Sequence, residues 1–324
     1  FMSAWVDAPY AERAGASLAR ALQHIETIHA FVDRHPARLL FATTAADVRR
    51  AKTEGKVAIL IGVEGGHAIE GSLGHLRELY ARGARYLTLT WNNGNAWAGS
   101  SIGVDGTRTG GLTPFGREVV REMNRLGMLV DLSHVSDSTF YDAIAVSTVP
   151  VIASHSSARA LSDVPRNLTD DQLRAIARNG GVVNVNFYSR FIDSRYRAEI
   201  EHVEEMVRTA HAAARAAGED SAVATKRIAA LRDSLTAAIT PTPFSVLIDH
   251  IDHIAKVAGV DHVGLGSDFD GVSALPLGME DVTRLPRIAQ ALLDRGYSDD
   301  DVKKILGGNM LRVMTRVLDA SAQP

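Results

Sequence analysis

Along the chain, short runs that are almost wholly apolar alternate with longer stretches whose apolar residues recur at helical spacing. The short runs are Phe1–Val6, Val57–Val63, Tyr86–Trp91, Met128–Leu132, Val151–Ser154, Val182–Phe187 and Val263–Ser267. Strands apolar on both faces are those of a parallel sheet covered by helices. Helical periodicity marks Ala11–Arg34, Thr44–Glu54, Leu73–Arg82, Pro114–Leu126, Asp137–Val146 and Thr169–Asn179. Thr113 before Pro114, and Ser136 before Asp137, are helix-start signals. Gly55, Gly83 and Gly127 stand just ahead of strands, where helix C-caps belong. This alternation predicts a parallel α/β fold. Seven strand–helix units are counted, one short of the eight that close a (β/α)8 barrel. After Val182–Phe187 comes an Ala-, Arg- and Glu-rich stretch from Arg195 to about Ala238, read as a solvated helical insertion without chemistry, and then a helix over Pro243–Ala258. No repeat, low-complexity tract or linker divides the chain, so residues 1–324 are expected to form a single barrel domain.

Composition narrows the function classes. With 46 % hydrophobic and 23 % charged residues the chain is ordinary globular material, not a disordered segment. A formal charge of −3 gives no electrostatic reason to bind nucleic acid or an acidic membrane. No apolar run approaches the ~20 residues that span a bilayer. The absence of cysteine excludes disulfides, thiolate metal sites and a cysteine nucleophile, and leaves the compartment, cytoplasmic or exported, open. Phe1–Val6 reads as a strand already under way, without the basic and apolar regions of a signal peptide, so a preceding segment is expected.

In α/β barrels the chemistry sits where strands end and loops begin. Val57–Val63 runs into Glu64-Gly65-Gly66-His67, Met128–Leu132 into Ser133-His134, Val151–Ser154 into His155-Ser156-Ser157, and Val263–Ser267 into Asp268-Phe269-Asp270-Gly271. Singly, each has a plain structural reading: a carboxylate capping a helix, a core imidazole bonded to backbone, an aspartate closing a turn. Together, Glu64, His134, His155 and Asp268 bring imidazole and carboxylate to one rim, which is the donor set of zinc and similar divalent metals. A carboxylate alongside can act as base toward metal-activated water. His67 is read as structural or as supporting the ligands. His250 and His253, at i and i+3, are read as a solvated helix face. Neither a G-x-G-x-x-G fingerprint, a P-loop nor a G-x-S-x-G elbow occurs, so nucleotide binding and a serine nucleophile are not supported.

The segments Gly62-Val63-Glu64-Gly65-Gly66-His67, Tyr86-Leu87-Thr88-Leu89-Thr90, Asp131-Leu132-Ser133-His134-Val135-Ser136, Ala153-Ser154-His155-Ser156-Ser157-Ala158, Arg166-Asn167-Leu168 and Gly264-Leu265-Gly266-Ser267-Asp268-Phe269-Asp270-Gly271 resemble the renal (membrane) dipeptidase family of zinc peptidases. The resemblance runs in order from about Phe31 to the C-terminus. It implies an α/β fold of the (β/α)8 TIM type, with the insertion following the seventh strand of the complete barrel. It implies a zinc-dependent dipeptidase holding two Zn2+ and cleaving dipeptides with a free C-terminal carboxylate. Carried over by motif, Glu64 is the bridging metal ligand, His134 and His155 hold the second zinc, and Asp268 handles protons beside the first. Arg166 grips the substrate carboxylate, a task suited to its planar, permanently charged fork. Tyr188 lines the pocket. The expected partners are a small dipeptide and a second copy of the chain.

Two departures qualify these expectations. The family's first strand ends in His-x-Asp, which supplies the other ligands of the first zinc. No such motif occurs near Phe1, so the first strand is expected to be missing, the barrel to be open there, and the zinc complement to be reduced. Where the family often has a histidine after Thr-Leu-Thr, this chain has Trp91. Two rival readings are a binuclear amidohydrolase-type barrel acting on a lactone, cyclic amide or phosphoester, and a non-catalytic metal- or peptide-binding barrel.

Overall fold

The computed structural model describes residues 1–103 and 110–319. Its strands are β1 (Met2–Trp5), β2 (Leu39–Phe41), β3 (Val57–Ile59), β4 (Ile61–Glu64), β5 (Ala84–Thr88), β6 (Leu129–Asp131), β7 (Ile152–Ala153), β8 (Val182–Val185) and β9 (Val263–Leu265). Seven form one parallel sheet in the order β1-β4-β5-β6-β7-β8-β9, and β2 and β3 form a separate parallel pair. The seven-stranded sheet is a TIM-type arrangement with helices on its outside. Among the described residues β1 and β9 do not pair, so the sheet is open between them.

The seven central strands fall on the seven runs read from sequence. One run needs correction: Val57–Val63 is two strands broken at Leu60. β3 pairs outward with β2, while β4 enters the central sheet between β1 and β5. The Leu39–Phe41 partner is too short to stand out by periodicity.

The helices are set by local chemistry. Thr44 and Asp47 form a reciprocal capping box, as do Thr169 and Gln172. Thr113 caps Pro114–Leu126, which ends on Gly127 at φ 73°. The sequence places Pro114–Leu126 and Asp137–Val146 to the residue. One apolar cluster runs from Ala4 on β1 through Val63, Leu87, Val130, Ala153 and Val183 to Val263 on β9, joining sheet and helices. The insertion is a hairpin of two helices, Ser194–Ala216 and Ser221–Ala237, with its own small core of Val203, Val207, Ala214, Ala224 and Ile228. Close strand packing near the site depends on glycine. A Cβ on Gly266 would collide with the Ser154 carbonyl, and one on Gly62 with the Tyr86 ring.

Candidate active site

Strand register levels the C-terminal ends of β1, β4, β5 and β6: Trp5 pairs with Glu64, Glu64 with Thr88, and Thr88 with Asp131. His134 follows β6 by three residues in a turn that takes it to φ 68°, and His155 follows β7 by two. The two imidazoles thereby meet the Glu64 carboxylate. His134 Nε2 lies 3.0 Å from Glu64 Oε1, His155 Nε2 3.6 Å from the same oxygen, and the two Nε2 atoms stand 2.9 Å apart. Donors ~2.0–2.1 Å from a tetrahedral zinc stand about 3.3 Å from one another, so the three atoms already have the spacing of a ligand triangle.

The hydrogen-bond partners around the rings indicate which atoms are free. Asp131, fully buried under the site, accepts from Thr88 Oγ1 (2.5 Å), Ser154 Oγ (2.6 Å) and the backbone N–H groups of Ser154 (2.8 Å) and Ser133 (3.1 Å). Burial raises the Asp131 pKa while these hydrogen bonds oppose it. The Ser154 hydroxyl proton points at Asp131, so Ser154 Oγ accepts from His155 Nδ1–H at 2.7 Å. Likewise His134 Nδ1–H donates to Asn92 Oδ1 at 3.1 Å. Burial holds both imidazoles well below their ordinary pKa; for His155 the Glu64 charge opposes this, and for both rings the Arg166 charge pushes the same way as burial. Both rings are therefore neutral with Nε2 lone pairs turned toward a carboxylate. Three converging lone-pair donors repel one another unless a cation sits among them, so the donor set fits a divalent metal. Among the described residues, Glu64, His134 and His155 are the group of potential ligands that comes together in this way.

Arg166 adjoins this triangle. It is 3 % exposed, donates from Nη2 to the His155 carbonyl (3.3 Å), and lies over the Phe191 ring at 5.3 Å. Its Nε and Nη1 have no partner. Burial lowers its pKa to about 10, against the charges of Asp268, Glu64 and Asp131, so it stays cationic at neutral pH. Asp268 follows β9 at φ 59° and accepts from Asn186 Nδ2 at 3.1 Å. Burial and the Glu64 charge raise its pKa to about 6, opposed by Asn186 and Arg166. Tyr188 lies half-buried after β8. Its ring packs on Phe191 at 4.9 Å and its hydroxyl meets Ser273 Oγ at 3.3 Å.

Asn92, Asp131, Ser154 and Asn186 were not singled out from sequence. Asp131 and Ser154 each sit inside a quoted motif, but nothing in their spacing shows that they orient His155. His67 is buried, with Nε2 against the Val6 carbonyl at 3.0 Å, a structural role. The solvated-face reading of His250 and His253 needs correction. His250 is fully buried, accepts from the Ala158 N–H (3.1 Å) and donates to the Ile192 carbonyl (3.0 Å), tying the loop after His155 to the helix Phe244–Ala258. His253 bonds Asp170 at 2.7 Å. His250→Ala strands both backbone groups, and we expect it to cost about 2–4 kcal/mol of unfolding free energy by urea titration. A loss under 1 kcal/mol would contradict this role.

Three potential metal ligands at the C-terminal rim of a parallel barrel-type sheet form the kind of arrangement that metal-dependent hydrolases use. The description "Membrane dipeptidase (Peptidase family M19)" matches residues 1–323. The fold is similar to the probable dipeptidase PvdM from Pseudomonas aeruginosa, at 28 % identity and TM-score 0.81, over 93 % of this chain and 79 % of that one. It is also similar to the dipeptidase AC, a metallo peptidase of family M19, at 27 % identity and TM-score 0.76, over 98 % and 85 %. A metallo peptidase from Rhodobacter sphaeroides, liganded with a phosphinate mimic of the dipeptide L-Ala-D-Ala, matches at 26 % identity and TM-score 0.75, over 98 % and 86 %. The chain belongs to the membrane dipeptidase family, Peptidase family M19, and is a metallo-dipeptidase. No helix of the described residues is long and apolar enough to cross a membrane.

Proposed function

We propose that residues 1–324 act as a single hydrolase barrel that uses zinc, held by Glu64, His134 and His155, to cleave dipeptides bearing a free C-terminal carboxylate. The observation that carries this reading is Arg166: a buried cation with two unpartnered guanidinium nitrogens beside the metal-ligand triangle. An unpaired buried charge is costly, so such a group is retained where an anion will meet it. A substrate carboxylate fits its planar fork in two parallel hydrogen bonds. The Rhodobacter sphaeroides relative is liganded with a phosphinate mimic of the dipeptide L-Ala-D-Ala, which supports a dipeptide as the substrate here.

A divalent metal among the three ligands supplies Lewis-acid polarisation of a carbonyl and a lowered pKa for water. The chain's own residues do the rest. Asp131, through Ser154, fixes the ring of His155, and Asn92 fixes that of His134. Arg166 anchors the substrate's C-terminal end. Asp268, with its raised pKa, takes a proton from the attacking water and returns it to the leaving amine. Phe191 and Tyr188 wall the carboxylate side. The rival lactone or cyclic amide substrates carry no anion to meet Arg166. The test is zinc-loaded protein on a free dipeptide and on its C-terminal amide. The free dipeptide is expected to react at least tenfold faster, and equal rates contradict the reading.

Asp268 sets the expected pH dependence. Its folded pKa lies above the ordinary carboxylate value, so it is protonated below about 6 and unable to accept a proton there. Activity is therefore expected to rise with pH along an acid limb at or below about 6, the metal's charge moving the limb downward. Asp268→Asn is expected to lower kcat by roughly 10²–10⁴ and to abolish that limb. An unchanged limb in the variant would assign it to another group.

A further inference from the structure

We propose that Trp5 and Trp91 form an apolar subsite that receives the side chain of the dipeptide's N-terminal residue and favours large apolar residues there. The inference rests on the dipeptidase reading above and gives it a substrate class.

Trp5 closes β1 in register with Glu64. Ser3 and Trp5, two residues apart on a strand, project from the same face. Ser3 Oγ donates to Glu64 Oε2 at 3.1 Å, so that face is the one turned toward the metal ligands. Trp91 reaches the same place from β5. It lies between Thr90, whose hydroxyl bonds the His134 carbonyl, and Asn92, which orients the His134 ring. The indoles of Trp5 and Trp91 meet edge to face at 5.2 Å, and Trp91 lies 6.5 Å from the His134 ring. β1 and β5 flank β4, so the two indoles join across the end of the strand that carries Glu64. Both remain half-buried, whereas Trp97 is 2 % exposed and packs against Phe115 in the core. Two half-open indoles beside the potential metal ligands offer apolar area for a bound group to cover.

Their side of the rim assigns the substrate end. Arg166 lies past His155, against Phe191, on the β7 and β8 side of the ligand triangle. With the carboxylate there and the scissile carbonyl at the triangle, the rest of a dipeptide extends toward β1 and β5. The only part left is its N-terminal residue, and the tryptophans are what it meets. No charged side chain stacks on either indole among the described residues. That leaves an aromatic wall suited to Leu, Met or Phe and indifferent to Gly.

The test uses zinc-loaded full-length chain on Gly-Ala, Ala-Ala, Leu-Ala and Phe-Ala, with phosphinate dipeptide mimics carrying Gly or Leu at the first position as non-hydrolysable probes. Wild type is expected to favour Leu-Ala and Phe-Ala over Gly-Ala in kcat/KM. Trp5→Ala is expected to lower kcat/KM for Leu-Ala at least tenfold more than for Gly-Ala. The Leu mimic is expected to bind at least tenfold tighter than the Gly mimic and to quench indole fluorescence, with the quench reduced in Trp5→Phe and in Trp91→Phe. These conservative variants preserve packing and serve if Trp5→Ala does not fold. Equal losses on Leu-Ala and Gly-Ala, or equal binding of the two mimics, would overturn the subsite while leaving the dipeptidase reading intact. Failure of every dipeptide and both mimics to engage the wild-type protein would overturn both.

Discussion

Zinc-loaded His155→Ala protein is expected to lose its metal on dialysis and to retain less than about one thousandth of the wild-type kcat/KM. Removing His155 leaves two of the three donors, His134 and Glu64, and the site loses the charge stabilisation on which metal-assisted hydrolysis depends. The supporting groups should show a graded version of the same defect. Ser154→Ala removes the acceptor that fixes His155 Nδ1–H, and loss of such an orienting partner typically costs 10–100-fold in metal affinity. A second signature separates this from a folding defect. In the metal-free protein the three lone-pair donors crowd one another, so His155→Ala should leave the metal-free melting temperature unchanged or raised. Metal content by mass spectrometry, activity and thermal melts check the three parts. A variant that keeps stoichiometric zinc and activity would remove His155 from the site.

Arg166→Ala is expected to damage hydrolysis of free dipeptides far more than of their C-terminal amides. The amide lacks the carboxylate that Arg166 holds, so it has little to lose. A charge-assisted hydrogen bond is worth roughly 1.5–3 kcal/mol, or about one to two decades in kcat/KM on the free substrate. The geometry makes the upper part of that range the expected one, because Nε and Nη1 are both buried without a partner and a carboxylate would satisfy a buried charge. Arg166→Lys keeps a charge but not the fork, and is expected to fall between wild type and alanine. Equal losses on both substrates would make Arg166 a support of the His155 loop through its carbonyl contact. No loss on either would place the substrate carboxylate elsewhere.

The sequence made the frame of this site legible, and the reasons are physical. Runs such as Met128–Leu132 and Val182–Phe187 are rich in apolar residues because their strands are covered on both faces, and that pattern survives without any knowledge of neighbours. Helix limits at Thr113, Ser136 and Thr169 follow from side chains that bond their own backbone, which is local chemistry. Glu64, His134 and His155 could be placed together because the end of a barrel strand is a defined position in space. The break at Leu60 depends instead on β2, a three-residue partner. His250 looked like a surface residue because its two bonds run to Ala158 and Ile192, far along the chain. The Asp131–Ser154–His155 relay and the meeting of Trp5 with Trp91 are likewise contacts between strands, which periodicity does not encode. Among the described residues the central sheet has the seven strands counted from the sequence, with β1 and β9 unpaired.

The central claim is that this chain's own Glu64, His134 and His155 hold the metal of a dipeptidase. Anomalous diffraction from zinc-loaded crystals, recorded on both sides of the zinc absorption edge, tests it most directly. The account predicts a peak within about 2.0–2.2 Å of His134 Nε2, His155 Nε2 and a Glu64 carboxylate oxygen. A protein that takes up zinc but places the peak away from these three atoms would contradict it.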